Sequence, residues 1–306
     1  MTAAVFHSGE QQVQRQTGEA HIADSLKDLI SPEVHRGAIN FIENQPMVIV
    51  GSRNAAGELW ASLLTGHPGF TEVTESDTIL FDTRLITSNE TDVFFSNISQ
   101  HSQIGCLFIE FSSRKRLRAN GICKFNDPLI EISIQQFYPN CPKYIQRRVM
   151  SLPEYFTKVK SVVTEGTGIT AAALDWIKDA DTLFVASTAA DGSMDASHRG
   201  GNKGFVQIID NNVLKIPDYP GNSMFNTFGN IAQDPNVGLL FIDFEQRRTL
   251  QLTGTASLMF DQKTEDDLFR TKGTGRYWLF ETSRWLHTID HHDVQWQFLG
   301  YSPYNP

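Results

Sequence analysis

The sequence has few cysteines, no long apolar run and no excess of basic residues. Its three cysteines, Cys106, Cys123 and Cys141, are scattered, which excludes a disulfide framework or a cysteine-rich zinc cluster. No apolar run approaches the ~20 residues of a membrane helix. The formal net charge is −9, so the chain lacks the basic face that general binding to nucleic acid or anionic membranes requires.

The amino-terminal segment also lacks a targeting pattern. In MTAAVFHSGEQQVQRQ no basic region precedes an apolar core, so we expect no secretory signal and a cytoplasmic location. The composition, 40% hydrophobic and 20% charged, is typical of a globular protein. A chain of 306 residues is long enough for two domains of ordinary size.

The most prominent feature of the sequence is an internal repeat. Ile104–Cys123 (IGCLFIEFSSRKRLRANGIC) aligns without a gap with Val237–Ala256 (VGLLFIDFEQRRTLQLTGTA), at an offset of 133 residues. Upstream, Gly66–Val73 (GHPGFTEV) matches Gly201–Ile208 (GNKGFVQI) at an offset of 135 residues. Because this period is much longer than one supersecondary unit, it indicates a duplicated domain rather than a solenoid.

Each copy has the same order of predicted elements. An amphipathic helix (Arg36–Asn44 and Ala171–Asp179) precedes a hairpin with an NAAG or AADG turn, further short strands, a short helix and two long strands. Many short strands with few helices predict a mainly β protein with α, in which antiparallel sheets close into small barrels. The predicted units are an arm or outer helices (1–30), the first copy (31–139), a partly helical connector (140–168) and the second copy (169–306).

The second copy contains two loops that are richer than simple turns require. Ser197–Phe205 (SHRGGNKGF) and Ile216–Ser223 (IPDYPGNS) combine glycines, prolines and Arg199. Glycines allow close backbone approach, prolines stiffen a loop, and arginine offers a planar fork that suits phosphate. The loops therefore fit an anion site, although tight turns of a barrel would also account for them.

These motifs resemble the pyridoxamine 5′-phosphate oxidase-like family of FMN-binding split-barrel flavoproteins. The resemblance is greatest to a branch of FMN-dependent enzymes of unknown substrate, in which D-x-S-x-R-G-G precedes I-P-D-x-P-G-N. These motifs stand here as Asp195–Gly201 and Ile216–Asn222. The similarity covers about 171–260 well and 36–124 more loosely. Asn140–Gln146 (NCPKYIQ) is also similar to the linker of related modules fused to flavin/iron–sulfur reductases.

The resemblance implies two tandem FMN-binding split β-barrels with short flanking helices. It also implies that the Arg199 and Asn222 loops hold the FMN phosphate and that the edge of the Lys215–Asp218 strand lies along the flavin ring. No catalytic residue is implied. The candidate cofactor-binding residues are Ser197, His198, Arg199, Lys215, Ile216, Pro217, Asp218, Gly221, Asn222, Ser223, Arg116, Arg118 and Arg248.

The two copies differ in a complementary way. The second copy keeps the PGN loop, whereas the basic strand is better preserved in the first as Lys115–Gly121 (KRLRANG). Single-barrel members of the family dimerise and bind each flavin between two barrels, so the duplicated chain would complete one site internally. Two alternatives remain: the basic strand is a solvated hairpin, or two chains form a homodimer whose ligand residues all come from second copies.

The predicted function is that of an FMN-binding oxidoreductase acting on an unidentified small substrate. The electron donor would be a nicotinamide cofactor or a partner reductase. The family's R-L-H-D-R segment, which contacts the vitamin substrate, has no clear counterpart here, so the substrate is unassigned. One alternative is a module that stores or senses flavin without turnover, and another is a degenerate barrel without a cofactor. A third is a haem-binding or haem-degrading protein that uses His287, His291 and His292. Adjacent strand residues point to opposite faces, so His291 and His292 predict no metal site.

Overall fold

A computed structural model describes residues 5–154 and 159–306. Residues 1–4 of the predicted arm and 155–158 of the predicted connector lie outside the described residues. The described chain is mainly β, with two large antiparallel sheets and short helices. Each described helix is too short or too polar to cross a bilayer.

Short helices form the described part of the amino-terminal region, for which the sequence predicts either an arm or outer helices. They are α1 (Ser8–Gln16), α2 (Ala20–Leu26) and a 3₁₀ turn (Lys27–Leu29). A capping box starts α1: the His7 side chain accepts from the Gly9 amide, and the Glu10 carboxylate accepts from the His7 amide. These two bonds satisfy amides that the first helical turn leaves unpaired.

The first sheet contains seven strands in the order β2-β1-β5-β6-β7-β4-β3. The elements of this half are α3 (Arg36–Glu43), β1 (Met47–Arg53), β2 (Leu59–Thr65), β3 (Thr71–Glu75), β4 (Thr78–Asp82), α4 (Val93–Ile98), β5 (Gln103–Glu110), β6 (Lys115–Asn126) and β7 (Leu129–Pro139). The predicted helix, hairpin and long strands are therefore confirmed.

Two strands form in the segment between the halves. The described residues of the predicted connector, 140–154 and 159–168, contain β8 (Arg147–Ser151) and β9 (Val162–Gly166) and no helix. β9 extends the second sheet, and β8 joins the carboxy-terminal strand β17 (Gln295–Gly300) in a separate two-stranded sheet. Pairing with distant strands, which local patterns do not encode, decides the structure of this segment.

The second sheet repeats the strand order of the first. Its path is β11-β10-β14-β15-β16-β13-β12. The elements are α5 (Ala171–Asp179), β10 (Thr182–Thr188), β11 (Met194–Gly200), β12 (Gln207–Ile208), β13 (Val213–Pro217), α6 (Asn226–Gln233), β14 (Asn236–Asp243), β15 (Arg248–Met259), α7 (Glu265–Arg270) and β16 (Tyr277–Ile289). Strand by strand, β10 to β16 occupy the places of β1 to β7.

The prediction that each sheet closes into a barrel is wrong. Each sheet is an open path, with β2 and β3 at the ends of the first and β11 and β12 at the ends of the second. The edge strands β2 and β11 pack across the seam against β14 and β5 of the opposite sheet. The seam contains a shared apolar core that includes Ile49, Leu63, Leu107, Phe184, Ala196 and Leu240.

Two glycines that align in the repeat allow the sheets to approach this closely. A Cβ atom on Gly105 would lie 2.5 Å from the carbonyl carbon of Asp195, and one on Gly238 would lie 2.5 Å from the carbonyl oxygen of Leu59. Both distances are shorter than any van der Waals contact. The seam also explains why β1, β5, β10 and β14 are nearly continuous apolar runs, since their two faces contact different cores.

Candidate functional site

A cavity of about 100 Å³ opens where the two halves meet. Its walls come from β6 of the first sheet, the segment after β7, the end of β11, and the loop between β13 and α6. The side chains that the following paragraphs use are Arg116, Arg118, Cys141, Tyr144, His198, Arg199, Asp218, Asn222, Ser223, Asn226 and Arg276.

Arg118 links the two halves beneath the cavity. Its Nη2 donates to Ser197 Oγ at 2.6 Å, and its Nη1 lies 3.3 Å from Asp195 Oδ1 and 3.1 Å from the Tyr138 hydroxyl. The guanidinium comes from β6 and the carboxylate from β11, so this buried ion pair crosses the seam. Alternation along β6 puts Asn120 on the same face, where its Nδ2 donates to Asp195 Oδ1 at 2.6 Å.

Two carboxyl groups lie close together behind Arg118. Asp195 also accepts from Asn230 Nδ2 at 2.9 Å, and Glu10 of α1 accepts from Asn226 Nδ2 at 2.5 Å. Burial, reinforced by the Asp195 charge, raises the pKa of Glu10 to about 8. Glu10 is therefore mostly protonated at neutral pH, which limits the negative charge on this side of the site.

Arg116 lies two residues before Arg118, and the protein gives it no acidic partner. Its Nε donates to the Cys141 carbonyl at 2.9 Å, its Nη1 lies 3.1 Å from His198 Nδ1, and its Nη2 lies 3.6 Å from Cys141 Sγ. Among the described residues no carboxylate pairs with this guanidinium. Desolvation lowers its pKa. A partly buried cation without an acidic partner favours an anion nearby.

The contact with Arg116 determines the tautomer of His198. Because a guanidinium can only donate, His198 Nδ1 accepts and the ring proton is on Nε2. Burial, followed by the charges of Arg116 and Arg199, lowers the pKa of His198 well below its usual value. The imidazole is therefore neutral at physiological pH and fixes the position of Arg116.

On the opposite wall, two arginines share one carboxylate. Asp218 Oδ1 accepts from Arg199 Nη1 at 3.0 Å, and Asp218 Oδ2 accepts from Arg276 Nε at 2.9 Å. Arg276 Nη1 also donates to Glu19 Oε1 at 2.7 Å, and Glu19 Oε2 accepts from Ser223 Oγ at 2.5 Å. The amino-terminal helical region thus contributes a carboxylate that contacts the predicted phosphate loop.

The loop before α6 has an unusual backbone. Ser223 and Phe225 both have φ of 60°, in the left-handed region that residues other than glycine rarely adopt. Phe225 is the N-cap of α6 and makes no side-chain cap. The Asn222 side chain turns back to accept from the Met224 amide at 3.2 Å. The strained backbone aims the start of α6 at the cavity.

Most of the residues predicted from the sequence come together here. The cavity is lined by Arg116, Arg118, His198, Arg199, Pro217, Asp218, Gly221, Asn222 and Ser223. Ser197 lies behind the wall, in contact with Arg118. The first-copy arginines and the second-copy loops lie in one cavity of one chain.

Three predicted residues lie elsewhere. Lys215 pairs with Asp267 at 3.3 Å and Ile216 is buried in the second core. Arg248 pairs with Asp243 at 2.9 Å and covers the Trp176 ring. None of these three residues lines the cavity, and their contact with a flavin stays a prediction.

Sequence reasoning missed Arg276 and Glu19 as parts of this region. Neither belongs to a motif, and each meets Asp218 or Ser223 only through the tertiary fold. The histidines at 287, 291 and 292, which the haem alternative requires, are not among the residues that line the cavity. The described residues also contain no cluster that could hold a metal ion.

Comparison with known proteins gives one match to a family model. Residues 169–289 match the model described as pyridoxamine 5′-phosphate oxidase. None of the curated proteins matches the sequence.

Three of the similar solved structures each cover less than half of this chain. They include General Stress Protein 26 from Bacillus anthracis (14% identity, 41% of this chain, 95% of that chain, TM-score 0.29). An FMN-binding protein from Syntrophomonas wolfei has 9% identity and covers 42% of this chain and 95% of its own, with a TM-score of 0.26. The heme storage protein HutZ from Vibrio cholerae has 16% identity and covers 44% of this chain and 96% of its own, with a TM-score of 0.27.

The family match covers the second sheet from α5 to the end of β16, including the loops that line the cavity. Residues 169–289 of this chain are therefore similar to the pyridoxamine 5′-phosphate oxidase family.

Proposed function

We propose that this chain binds FMN at the seam and uses it as an oxidoreductase of a small substrate. The observation that carries the proposal is Arg116, a partly buried guanidinium without a carboxylate partner among the described residues, on the wall of the cavity. The family match over the second half supports the same cofactor class. The substrate and the electron donor, a nicotinamide cofactor or a partner reductase, are proposed only as classes.

The donor set fits a phosphate group. Arg116 and Arg199 supply charge, and Ser223 and the start of α6 supply further donors at the same cavity. Its volume of about 100 Å³ is well below the ~300 Å³ at which small-molecule sites begin. We therefore propose that the phosphate occupies the cavity and that the flavin ring extends outward along the seam.

The role of the protein would be to bind and orient the cofactor. When bound, the flavin supplies hydride or single-electron transfer. His198 holds Arg116 through its unprotonated Nδ1, and Cys141 holds the other edge of the guanidinium through its carbonyl. Arg118 and Asp195 join the halves beneath the cavity. These contacts fix the donors before the ligand arrives, which reduces the entropy lost on binding.

We also infer that the repeat arose by tandem duplication and that each chain has one complete site. The repeated strand order supports this origin. The arginines of the first half face the loops of the second half within one chain, so the proposed site does not require a homodimer. A flavin-binding module without turnover is the alternative within the same proposal.

The first test compares FMN with riboflavin, which lacks the phosphate. We expect the purified protein to bind one FMN per chain and to bind riboflavin at least about 100-fold more weakly, as charge-assisted hydrogen bonds to a phosphate require. Arg116→Gln is expected to weaken FMN binding about 10- to 100-fold and to leave riboflavin binding unchanged.

Arg248→Gln is the matched control, because Arg248 lies outside the cavity. Equal affinities for FMN and riboflavin would show that this site does not bind the phosphate group. Anaerobic reduction of the bound flavin by a nicotinamide donor, followed by reoxidation with turnover, separates an enzyme from a storage or sensing module.

A further inference from the structure

A second cavity of about 470 Å³ lies away from the proposed flavin site. It is bounded by α5, by the turn between β14 and β15, and by the separate sheet of β8 and β17. Its aromatic walls are Trp176, Phe244, Trp296, Phe298 and Tyr301. This volume falls within the ~300–1,000 Å³ of small-molecule sites, which are mostly apolar with a few placed polar groups.

The first placed polar group is Arg148. Its Nη2 donates to Asp181 Oδ2 at 2.7 Å, and its guanidinium lies 4.1 Å from the centre of the Phe244 ring and 5.3 Å from that of Phe298. The side chain is only 8% exposed. Its Nη1 makes no hydrogen bond to any residue in 5–154 or 159–306.

The second is the indole of Trp296, whose Nε1 also has no partner in the described chain. In the small sheet Phe298 pairs with Arg148, and Trp296 pairs with Met150. Paired residues of antiparallel strands share a face, and so do residues two apart, so Arg148 and Trp296 are diagonal neighbours on one face. The Phe244 ring, 5.1 Å from the Trp296 ring, contacts both.

The aromatic walls do not behave as an ordinary core. The rings of Phe298 and Tyr301 meet edge to face with their centres 4.9 Å apart, yet these residues are 46% and 44% exposed. Buried donors are nearly always paired in folded proteins, so two unpaired donors beside exposed rings need an explanation. A planar ligand that carries a hydrogen-bond acceptor would pair with both donors and cover the exposed rings.

The charge of the lining decides the kind of acceptor. The basic lining residues, Arg148, Lys203 and Arg248, are outnumbered by Asp179, Asp181, Asp243 and Glu245. Arg148 and Arg248 are already paired with Asp181 and Asp243. The remaining lining charge is negative, which disfavours a carboxylate ligand.

We propose that this cavity binds an uncharged planar aromatic ring that carries a carbonyl or amide group. The ring stacks among the exposed aromatic side chains, and the carbonyl oxygen accepts from Trp296 Nε1 and Arg148 Nη1. This site is independent of the flavin proposal, since the two cavities have no lining residue in common.

The test uses calorimetric titration of the full chain with benzamide and nicotinamide, which carry the acceptor, with benzoate, and with toluene, an uncharged ring without an acceptor. Both amides are expected to bind with Kd in the millimolar range or better, as such small ligands allow. Benzoate is expected to bind at least about threefold more weakly because of the acidic rim. Toluene is expected to bind at least about threefold more weakly than benzamide because it leaves both donors unpaired. Saturation with FMN should leave these results unchanged.

Trp296→Phe keeps a ring but removes the N–H, and is expected to weaken amide binding at least about fivefold. Trp285→Phe is the control, because the Trp285 indole lies outside this cavity and donates to the Gly168 carbonyl. The proposal is overturned by the absence of amide binding up to about 10 mM, by toluene binding as tightly as benzamide, or by Trp296→Phe and Trp285→Phe having equal effects. A crystal structure with only water on both donors after a benzamide soak would also overturn it.

Discussion

Two places on the seam are related by the internal repeat, yet only one of them is an open cavity. In the open site, Arg118 of β6 donates to Ser197 of β11 at 2.6 Å. In its counterpart, Gln251 of β15, which aligns with Arg118, donates to Ser62 of β2 at 2.9 Å. The same pair of strands meets in the same way, but one pairing is charged and the other is neutral.

The two places also differ in the segment that follows the seventh strand of each sheet. After β7, the chain from Asn140 to Tyr144 lines the open cavity. After β16, His291 fills the counterpart: its Nε2 contacts the Leu63 carbonyl at 2.9 Å, and its Nδ1 lies 3.2 Å from Thr249 Oγ1. Neutral groups can be sealed once they are paired, whereas charged groups resist burial without water or an anion. Side chains, not topology, therefore decide which of the two places can bind a ligand.

The largest effect is expected from replacing the charge at the open site. Arg118→Met leaves Asp195 buried without its cation, which typically costs about 3 kcal/mol or more of the free energy of unfolding. Gln251→Met at the counterpart removes the hydrogen bonds that the amide donates to the Ala61 carbonyl and Ser62 Oγ, and is expected to cost about 1–2 kcal/mol. Urea unfolding of both variants measures the difference, and equal losses would contradict the distinction between a charged and a neutral site.

A smaller effect concerns the pH dependence of stability. Burial raises the pKa of Glu10 to about 8 from its usual 4.5, so between these values the folded state holds a proton that the unfolded state has released. Stability from this group is present at low pH and falls as the pH rises toward 8, by up to about 1.4 kcal/mol per pH unit.

Glu10→Gln removes this titration, so the stability of the wild type relative to the variant should fall from pH 5 to pH 8. Denaturant unfolding at a series of pH values gives the two curves. Taking their difference cancels the buried histidines, which titrate in both proteins. Parallel curves would mean that Glu10 is already ionised in the folded protein.

The smallest expected effect is a change in FMN affinity on replacing Glu19, which contacts residues that line the open site. Glu19 accepts from Arg276 and Ser223 and therefore competes with a bound phosphate for the same donors. Glu19→Gln is expected to tighten FMN binding about threefold to tenfold, which corresponds to one charge-assisted hydrogen bond no longer displaced. Fluorescence titration measures it, with exposed Glu33→Gln as the control. Weaker binding would show instead that Glu19 holds the loop ready for the ligand.

Local patterns predicted the elements well. The helices Arg36–Glu43 and Ala171–Asp179, the two hairpins and the long strands follow from periodicity and turn residues, which act over a few neighbours. The repeat correctly indicated two halves of the same strand order, and complementary divergence pointed to Arg116 and Arg118 beside the second-copy loops. What local patterns did not predict is long-range pairing, which leaves the sheets open and forms the strands β8 and β9.

The sequence by itself determined the order of the elements, because hydrophobic period and turn chemistry are properties of neighbouring residues. It also determined which half carries the basic strand and which half carries the glycine- and proline-rich loops. Only the tertiary structure decided that Asp218 joins Arg199 to Arg276, that Glu19 reaches Ser223, and that His291 seals the counterpart site. These contacts join residues far apart in the chain, and the packing of two sheets across a glycine-lined seam brings them together.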